Sequence, residues 1–260
     1  MAEPLEVTTD GVVAWMSFTR PASANAIDLH FAGAFRDAVA RLDADDSVSL
    51  LVLTGDPRFF SAGGDVLGMY DHADPAGYLS ELVDTLHDGI ARLADSRLVV
   101  ISVVEGTAAG AGLALVLNSD VVISGPGARY LAAYESIGLT PDTGFTFLLP
   151  RVVGERRAAE LTLLGRVLDA QTALSWGIVT EVVAAEELTH RVEEVVLKLS
   201  AAARPALTEA KRLLIAGRSA SFTDQLRDER DTIVRMIRTP EASTRIREFA
   251  VRSGRSAPSR

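Results

Sequence analysis

Apolar residues in the first half of the chain fall into short unbroken runs, SLLVLTG, LVVISVVEG and DVVISG, separated by stretches in which they recur at every third or fourth position. A short continuous run suits a strand buried on both faces, while the wider spacing suits a helix with one face on a core. Strand and helix alternate, which predicts an α/β fold. Near the start, LEVTTD and VVAWMSF flank Asp10-Gly11, a pair that supplies the positive φ angles of a tight hairpin turn. Asp28 is placed to cap a helix whose apolar positions are Leu29, Ala32, Phe35, Val39 and Leu42. From about Glu186 onward only helical spacing remains, in EELTHRVEEVVLKLSAA, RPALTEAKRLLIAG and SFTDQLRDERDTIVRMI. The pattern predicts a core over residues 1–200 and a helical region over 201–260, with no repeat of fixed period.

Composition narrows what such a fold can be. With 260 residues and 48% hydrophobic content, the chain can bury a large core. A net charge of -9 argues against a general nucleic-acid surface, which needs clustered Lys and Arg to neutralise phosphates. The one basic stretch, Arg245 to Arg260, reads as a helix end and a frayed tail. The sequence contains no cysteine, which excludes disulfides and thiolate chemistry and fits a reducing compartment. MAEPLEVTTDGVV lacks the basic and apolar regions of a signal peptide, and LVVISVV is too short to span a bilayer. A cytoplasmic protein without membrane contact is the expectation.

Two loops stand out, TGDPRFFSAGGD and EGTAAGAGL, because each follows a buried strand and enters a helix through small residues. Ligands of parallel sheets collect at the carboxyl ends of strands. Each loop can aim one free backbone N–H at a common point, and two such donors on one oxygen form an oxyanion hole, worth roughly 3 kcal/mol per donor. Small residues also simply permit close helix–strand packing, and that reading stays open for either loop alone. Neither loop has the Lys-Ser/Thr or G-x-G-x-x-G pattern of a phosphate cradle. His30, His72, His87 and His190 lack metal-ligand spacing, and Ser61 is not in a G-x-S-x-G elbow, so no metal site and no serine hydrolase are expected. Asp65 is placed to cap the helix after AGGD, and Asp142 in TPDTGF is placed to cap the helix that follows it.

Five ordered blocks, SFTRPASANAID, LVLTGDPRFFSAGGD, VVISVVEGTAAGAGLALVLNSDVVIS, IGLTPDTGFTFLLPRVVG and LLGRVLDAQTALSWGIVTEVV, resemble the enoyl-CoA hydratase/isomerase, or crotonase, superfamily over about residues 5–185. EAKRLL in the C-terminal helices is similar too. The resemblance implies a crotonase-like spiral of ββα units with a C-terminal helical trimerisation region, assembled as a homotrimer or hexamer. It implies an acyl-CoA thioester as substrate and no separate cofactor, coenzyme A being part of the substrate. The thioester carbonyl would sit between the N–H groups of Ala62 and Ala111, against Gly63, Gly64 and Gly110, with Asp65 supporting the loop. Ala24 and Ala26, in SANAI, would contact the coenzyme A end, and Tyr134 and Glu135 would lie near the acyl group. Alanine at 111 is a mild departure from a family position that is often glycine.

The charge missing from these blocks is informative. The two hydratase glutamates fall, in the resemblance, on Ala114 and Tyr134, neither of which is acidic. Adding water across a double bond then has no general base at either usual place, unless Glu135 takes the second role through a one-residue slip. Asp142 matches the acidic residue of the isomerase branches, where one carboxylate moves a proton from C2 to C4. Phe145, Phe147 and Leu148 would give it apolar surroundings, and Met69, Tyr70 and Tyr78 are large enough to set the length of the acyl pocket. An enoyl-CoA isomerase is therefore expected, with a hydratase or a non-catalytic acyl-CoA binder as alternatives, and a scaffold assembled through its helical tail as the reading of a third class.

Overall fold

Asp10 and Gly11 reverse the chain as their types predict: Gly11 takes φ +56°, and strands β1 (Leu5–Asp10) and β2 (Val13–Phe18) pair antiparallel, Leu5 opposite Phe18 and Asp10 opposite Val13. A computed structural model describes residues 3–253. Helix α1 (Leu29–Ala44) leaves the hairpin, and the Asp28 side chain caps it by accepting the Phe31 N–H. One motif then recurs, a strand, a second short strand and a helix. It runs through β3 (Leu50–Thr54), β4 (Phe59–Ser61), α2 (Val66–Asp71) and α3 (Pro75–Asp95), then β5 (Val99–Val104), β6 (Thr107–Ala109) and α4 (Ala111–Leu117), then β7 (Val121–Ser124), β8 (Arg129–Leu131) and α5 (Phe145–Val153). Helices α6 (Glu155–Leu163), α7 (Ala170–Trp176) and α8 (Leu188–Ser200), with strands β9 (Leu168–Asp169) and β10 (Glu181–Val182), follow.

The first strand of each motif enters a sheet ordered β1-β2-β3-β5-β7-β10, and the second enters a sheet ordered β4-β6-β8-β9. Within the larger sheet β2, β3, β5, β7 and β10 run parallel. This is the expected spiral of ββα units. Its repeat has no fixed period because the strands open unevenly, at Leu50, Val99 and Val121, with helices of different length between them.

The apolar runs behave as their composition requires. All of β5, VVISVV, is buried, and its single hydroxyl, on Ser102, pairs with the Ser119 hydroxyl at 2.7 Å. A fully buried Val, Leu or Ile contributes roughly 1.5–3 kcal/mol, and an unpaired hydroxyl at that depth would cost a comparable amount. Phe18, Phe31 and Phe60 meet edge to face beneath α1, with ring centroids 5.0 and 5.2 Å apart from Phe18. Gly89 lets α3 lie directly on α1, since a β-carbon there would stand 3.0 Å from the Arg36 Cα.

The chain divides into two compact units, Met1–Ser200 and Ala201–Arg260. The second holds helices α9 (Arg204–Ala216), α10 (Phe222–Met236) and α11 (Pro240–Arg252). Arg212 of α9 grips both oxygens of Asp228 of α10 at 2.7 and 2.8 Å and bonds Glu209 at 2.7 Å. Leu214, Phe222, Ile233 and Phe249 of this unit are all more than two-thirds exposed or close to it, at 77%, 79%, 69% and 67%. The basic stretch from Arg245 lies in α11 up to Arg252, and residues 254–260, where the frayed tail is expected, are outside the described residues. No helix of the described residues is long and apolar enough to cross a membrane.

Candidate active site

The two glycine loops come together. A β-carbon built on Gly63 would stand 2.8 Å from the Ala109 carbonyl and 3.2 Å from the Ala111 nitrogen, so only glycine allows this approach. Gly63 also takes φ +89°, a conformation that side chains disfavour. A cavity of about 420 Å³ opens beside the junction and is lined by both loops, by α2 and α3, and by residues between Ala133 and Asp142.

Hydrogen bonding decides which backbone donors face that cavity. The segment Ala24–Ile27 runs alongside Ala62–Asp65 as a short parallel pair: Ala62 N–H donates to the Ala24 carbonyl at 2.9 Å, Ile27 N–H to the Gly63 carbonyl at 2.7 Å, and Asp65 N–H to the Ile27 carbonyl at 2.9 Å. Gly63 N–H donates to the Ser61 hydroxyl at 3.2 Å. This corrects the sequence reading of the first donor. Ala62 lines the cavity, but its N–H is consumed by Ala24; Gly64, whose N–H and carbonyl point to the other edge of the pair, lines the cavity with its N–H uncommitted. The misassignment is by two residues, the period of an extended segment.

The second loop enters its helix at Ala111. Gly110 adopts φ +52° and ψ −125°, a glycine conformation, and turns the chain abruptly from β6 into α4. The N–H of Ala111, at the first helical position, has no carbonyl behind it to bond, and Ala111 lines the cavity. Helix α4 can start here because Gly112 lies on β4: a β-carbon at 112 would stand 2.4 Å from the Ser61 carbonyl oxygen. Gly112→Ala is therefore expected to lower stability by about 1–3 kcal/mol through overpacking against immovable backbone. A reduced urea midpoint at unchanged slope is the measurement, and an unchanged midpoint would contradict the packing.

Asp142 lines the same cavity. Its Oδ1 accepts two hydrogen bonds, from the Tyr134 hydroxyl at 2.7 Å and from the Thr143 hydroxyl at 2.9 Å. Neither donor goes to Oδ2, so the two carboxylate oxygens are inequivalent. Tyr134 is 9% exposed and packs edge to face on buried Phe145, centroids 5.8 Å apart. Burial, and then the negative charge of Asp142, push its phenol far above the ordinary tyrosine range, so it remains a protonated donor.

The turn carrying Asp142 is held in an uncommon shape. Thr143 is fully buried at φ +57°, a left-handed conformation that costs a β-branched residue on the order of 1 kcal/mol or more. Its N–H donates to His87 Nε2 on α3 at 3.0 Å, and its carbonyl accepts from the Asn118 side chain at 3.4 Å. Ala133, beside Tyr134, is left-handed too, at φ +64°.

Not all sequence-read residues converge. Ala62, Gly64, Gly110, Ala111, Tyr134 and Asp142 line the cavity, while Gly63 holds the loops together and Asp65 caps α2 by accepting the Gly68 N–H at 3.1 Å. Ala24 and Ala26 do not line it, and their backbone groups bond within their own loop and to Ala62 and Arg20. Glu135 is exposed, with its carboxylate against Gly165 rather than in the cavity, which removes the one-residue slip. Ala114 is buried within α4 and is not part of the lining. Of the pocket residues expected in α2 and α3, Met69 is present, Tyr70 is 83% exposed and Tyr78 stacks on His72. The apolar wall comes instead from Leu79, Leu82, Val83 and Leu86, whose three-four spacing along α3 is the signal that could have found them. Phe145 and Leu148 are buried as expected, whereas Phe147 is 49% exposed beneath Arg151. His87 carried no local signal. Among the described residues no group of three His, Cys, Asp or Glu side chains is placed to hold a metal.

Comparison with known proteins adds to this geometry. A family model described as enoyl-CoA hydratase/isomerase matches residues 8–252. The chain is 32% identical to a 4-chlorobenzoyl coenzyme A dehalogenase of an Arthrobacter species over 96% of this chain and 91% of that protein. It is 34% identical to the 1,2-epoxyphenylacetyl-CoA isomerase of Escherichia coli K12 over 83% of each. Among solved structures it is similar to an enoyl-CoA hydratase from Polaromonas, with 27% identity, a TM-score of 0.87, and coverage of 98% of this chain and 99% of that one.

Proposed function

The chain belongs to the enoyl-CoA hydratase/isomerase family, whose members act on acyl-CoA thioesters, and from that premise we propose that it is an enoyl-CoA isomerase that moves a double bond by a 1,3 proton shift. The observation that carries the reading is the presence of one carboxylate, Asp142, in a cavity that is also lined by Gly64 and Ala111, whose backbone N–H groups are uncommitted. In this reading the thioester oxygen lies between the N–H groups of Gly64 and Ala111. Asp142 Oδ2 removes a proton from C2, the negative charge arriving on oxygen is met by donors already in place, and the same oxygen returns the proton at C4. Tyr134 and Thr143 keep Oδ1 engaged, so one oxygen does the transfer at both carbons. Hydration is the weaker reading, because no second carboxylate lines the cavity to prepare a water.

A second reading is favoured by the dehalogenase relative, named for a chlorobenzoyl thioester. An uncommitted carboxylate oxygen facing an electron-withdrawing thioester is also placed to add to an aromatic ring carbon and displace chloride. The separating experiment is a spectrophotometric survey of 3-enoyl-CoA, 2-enoyl-CoA and 4-chlorobenzoyl-CoA. Conversion of the 3-enoyl to the conjugated 2-enoyl thioester is expected. Hydration without migration, or chloride release alone, would replace the isomerase reading, and tight binding without turnover would leave an acyl-CoA binder.

Assembly belongs to the same proposal. The exposed apolar side chains of α9 to α11 are more than a small solvated unit would leave in water, and burial against other copies would satisfy them. A trimer or hexamer is the expected outcome of light scattering; a mass of 27.7 kDa at micromolar concentration would refute it.

A further inference from the structure

Resting on the assignment of Asp142 as the proton carrier, we propose that His87 is a positioning residue, which fixes the direction of the Asp142 carboxylate through the backbone of Thr143. His87 does not line the cavity, but it sits on α3 one residue beyond Leu86, which does. Its Nε2 accepts the Thr143 N–H at 3.0 Å. To accept there the imidazole must be neutral with its proton on Nδ1, so it acts as an acceptor and not as a charge.

Thr143 needs that acceptor for two reasons. It is fully buried, so an unpaired N–H would carry the whole desolvation penalty. It is also a β-branched residue at φ +57°, and such a conformer persists only where the surroundings over-determine it. The remaining anchors are weaker or internal. Asn118 reaches the Thr143 carbonyl at 3.4 Å, and the Thr143 hydroxyl bonds Asp142 itself, which moves with the turn. His87 is thus the strong external hold on the Thr143 backbone, beside the Tyr134 hydroxyl that engages the Asp142 carboxylate itself, and it ties the turn to the helix that forms the acyl wall. Losing it frees Thr143 to leave the left-handed region, and rotation at that residue swings the neighbouring carboxylate away from the point between Gly64 and Ala111.

The test compares the wild-type chain with His87→Ala, His87→Gln and Asp142→Asn on a 3-enoyl-CoA. A glutamine can offer its amide oxygen to the Thr143 N–H without an imidazole. His87→Ala is expected to lower kcat about tenfold or more with KM within about twofold, because the donors that hold the thioester are untouched, and His87→Gln is expected to recover most of the loss. Unchanged kcat in His87→Ala would overturn the proposal. So would a His87→Gln as impaired as His87→Ala, since the imidazole would then be needed for itself. A second measurement needs no turnover: hydrogen exchange of the Thr143 amide, read by NMR on selectively threonine-labelled protein. Protection in wild type and His87→Gln and its loss in His87→Ala is expected; equal exchange in all three overturns the proposal. Absence of thioester turnover in wild type, or full activity of Asp142→Asn, would defeat the functional reading instead, and the exchange measurement would still decide the role of His87.

Discussion

Asp142→Asn is expected to remain folded, to bind acyl-CoA, and to lose double-bond migration by a factor on the order of a hundred or more. Asparagine is nearly isosteric with aspartate, and its amide oxygen can keep the hydrogen bonds from Tyr134 and Thr143 that reach Oδ1. What changes is the other atom: Oδ2, free to take a proton, becomes an amide nitrogen that cannot. Stability and activity should therefore separate, which thermal unfolding and the spectrophotometric assay together would register. Glu135→Gln serves as the companion, because that carboxylate lies against Gly165 outside the cavity and its loss should leave turnover close to wild type. Full activity in Asp142→Asn with none in Glu135→Gln would mean that the carboxylate has been misplaced and would favour a hydratase-like mechanism.

Ala111→Pro should have a comparably large effect through a different group. Proline at the first position of a helix is well tolerated, since its fixed φ suits the turn and the missing N–H has no intrahelical partner there. The residue before it, Gly110, lacks the side chain that would meet the proline ring. The substitution replaces the amide hydrogen with the ring Cδ, so it removes the donor and sets a methylene where the oxygen would lie, while α4 stays in place. Removing one oxyanion donor costs roughly 10²–10³ in rate, so kcat/KM should fall by at least that amount. Unchanged turnover by a correctly folded variant would take Ala111 out of the site.

The fold was legible because burial writes itself into residue type. SLLVLTG and LVVISVV could only be strands covered on both faces, and Asp10-Gly11 and Asp28 fix a turn and a helix start through their own backbone chemistry. The candidate site was legible in part. The small residues of SAGGD locate a loop, but which of its N–H groups stays free is set by pairing with Ala24 and Ile27, residues distant in the chain, and the sequence reading missed by one strand period. His87 shows the limit most clearly. A histidine whose partner is the amide of Thr143, far along the chain, leaves no spacing to read. The same holds for Tyr70 and Phe147, whose size suggested a lining role but whose helices turn them outward.

The two donors facing the cavity, at Gly64 and Ala111, belong to the main chain, and that has a consequence for inheritance. Every amino acid except proline carries the same N–H, so ordinary substitution cannot erase the polarising half of the site unless it blocks the approach or unwinds the turn. Side chains lining the same cavity enjoy no such protection and can be exchanged one codon at a time. A site built this way keeps its backbone donors through substitutions that remake the carboxylate, phenol and hydroxyl groups beside them, so its polarity toward an oxygen is harder to lose than its acid–base chemistry.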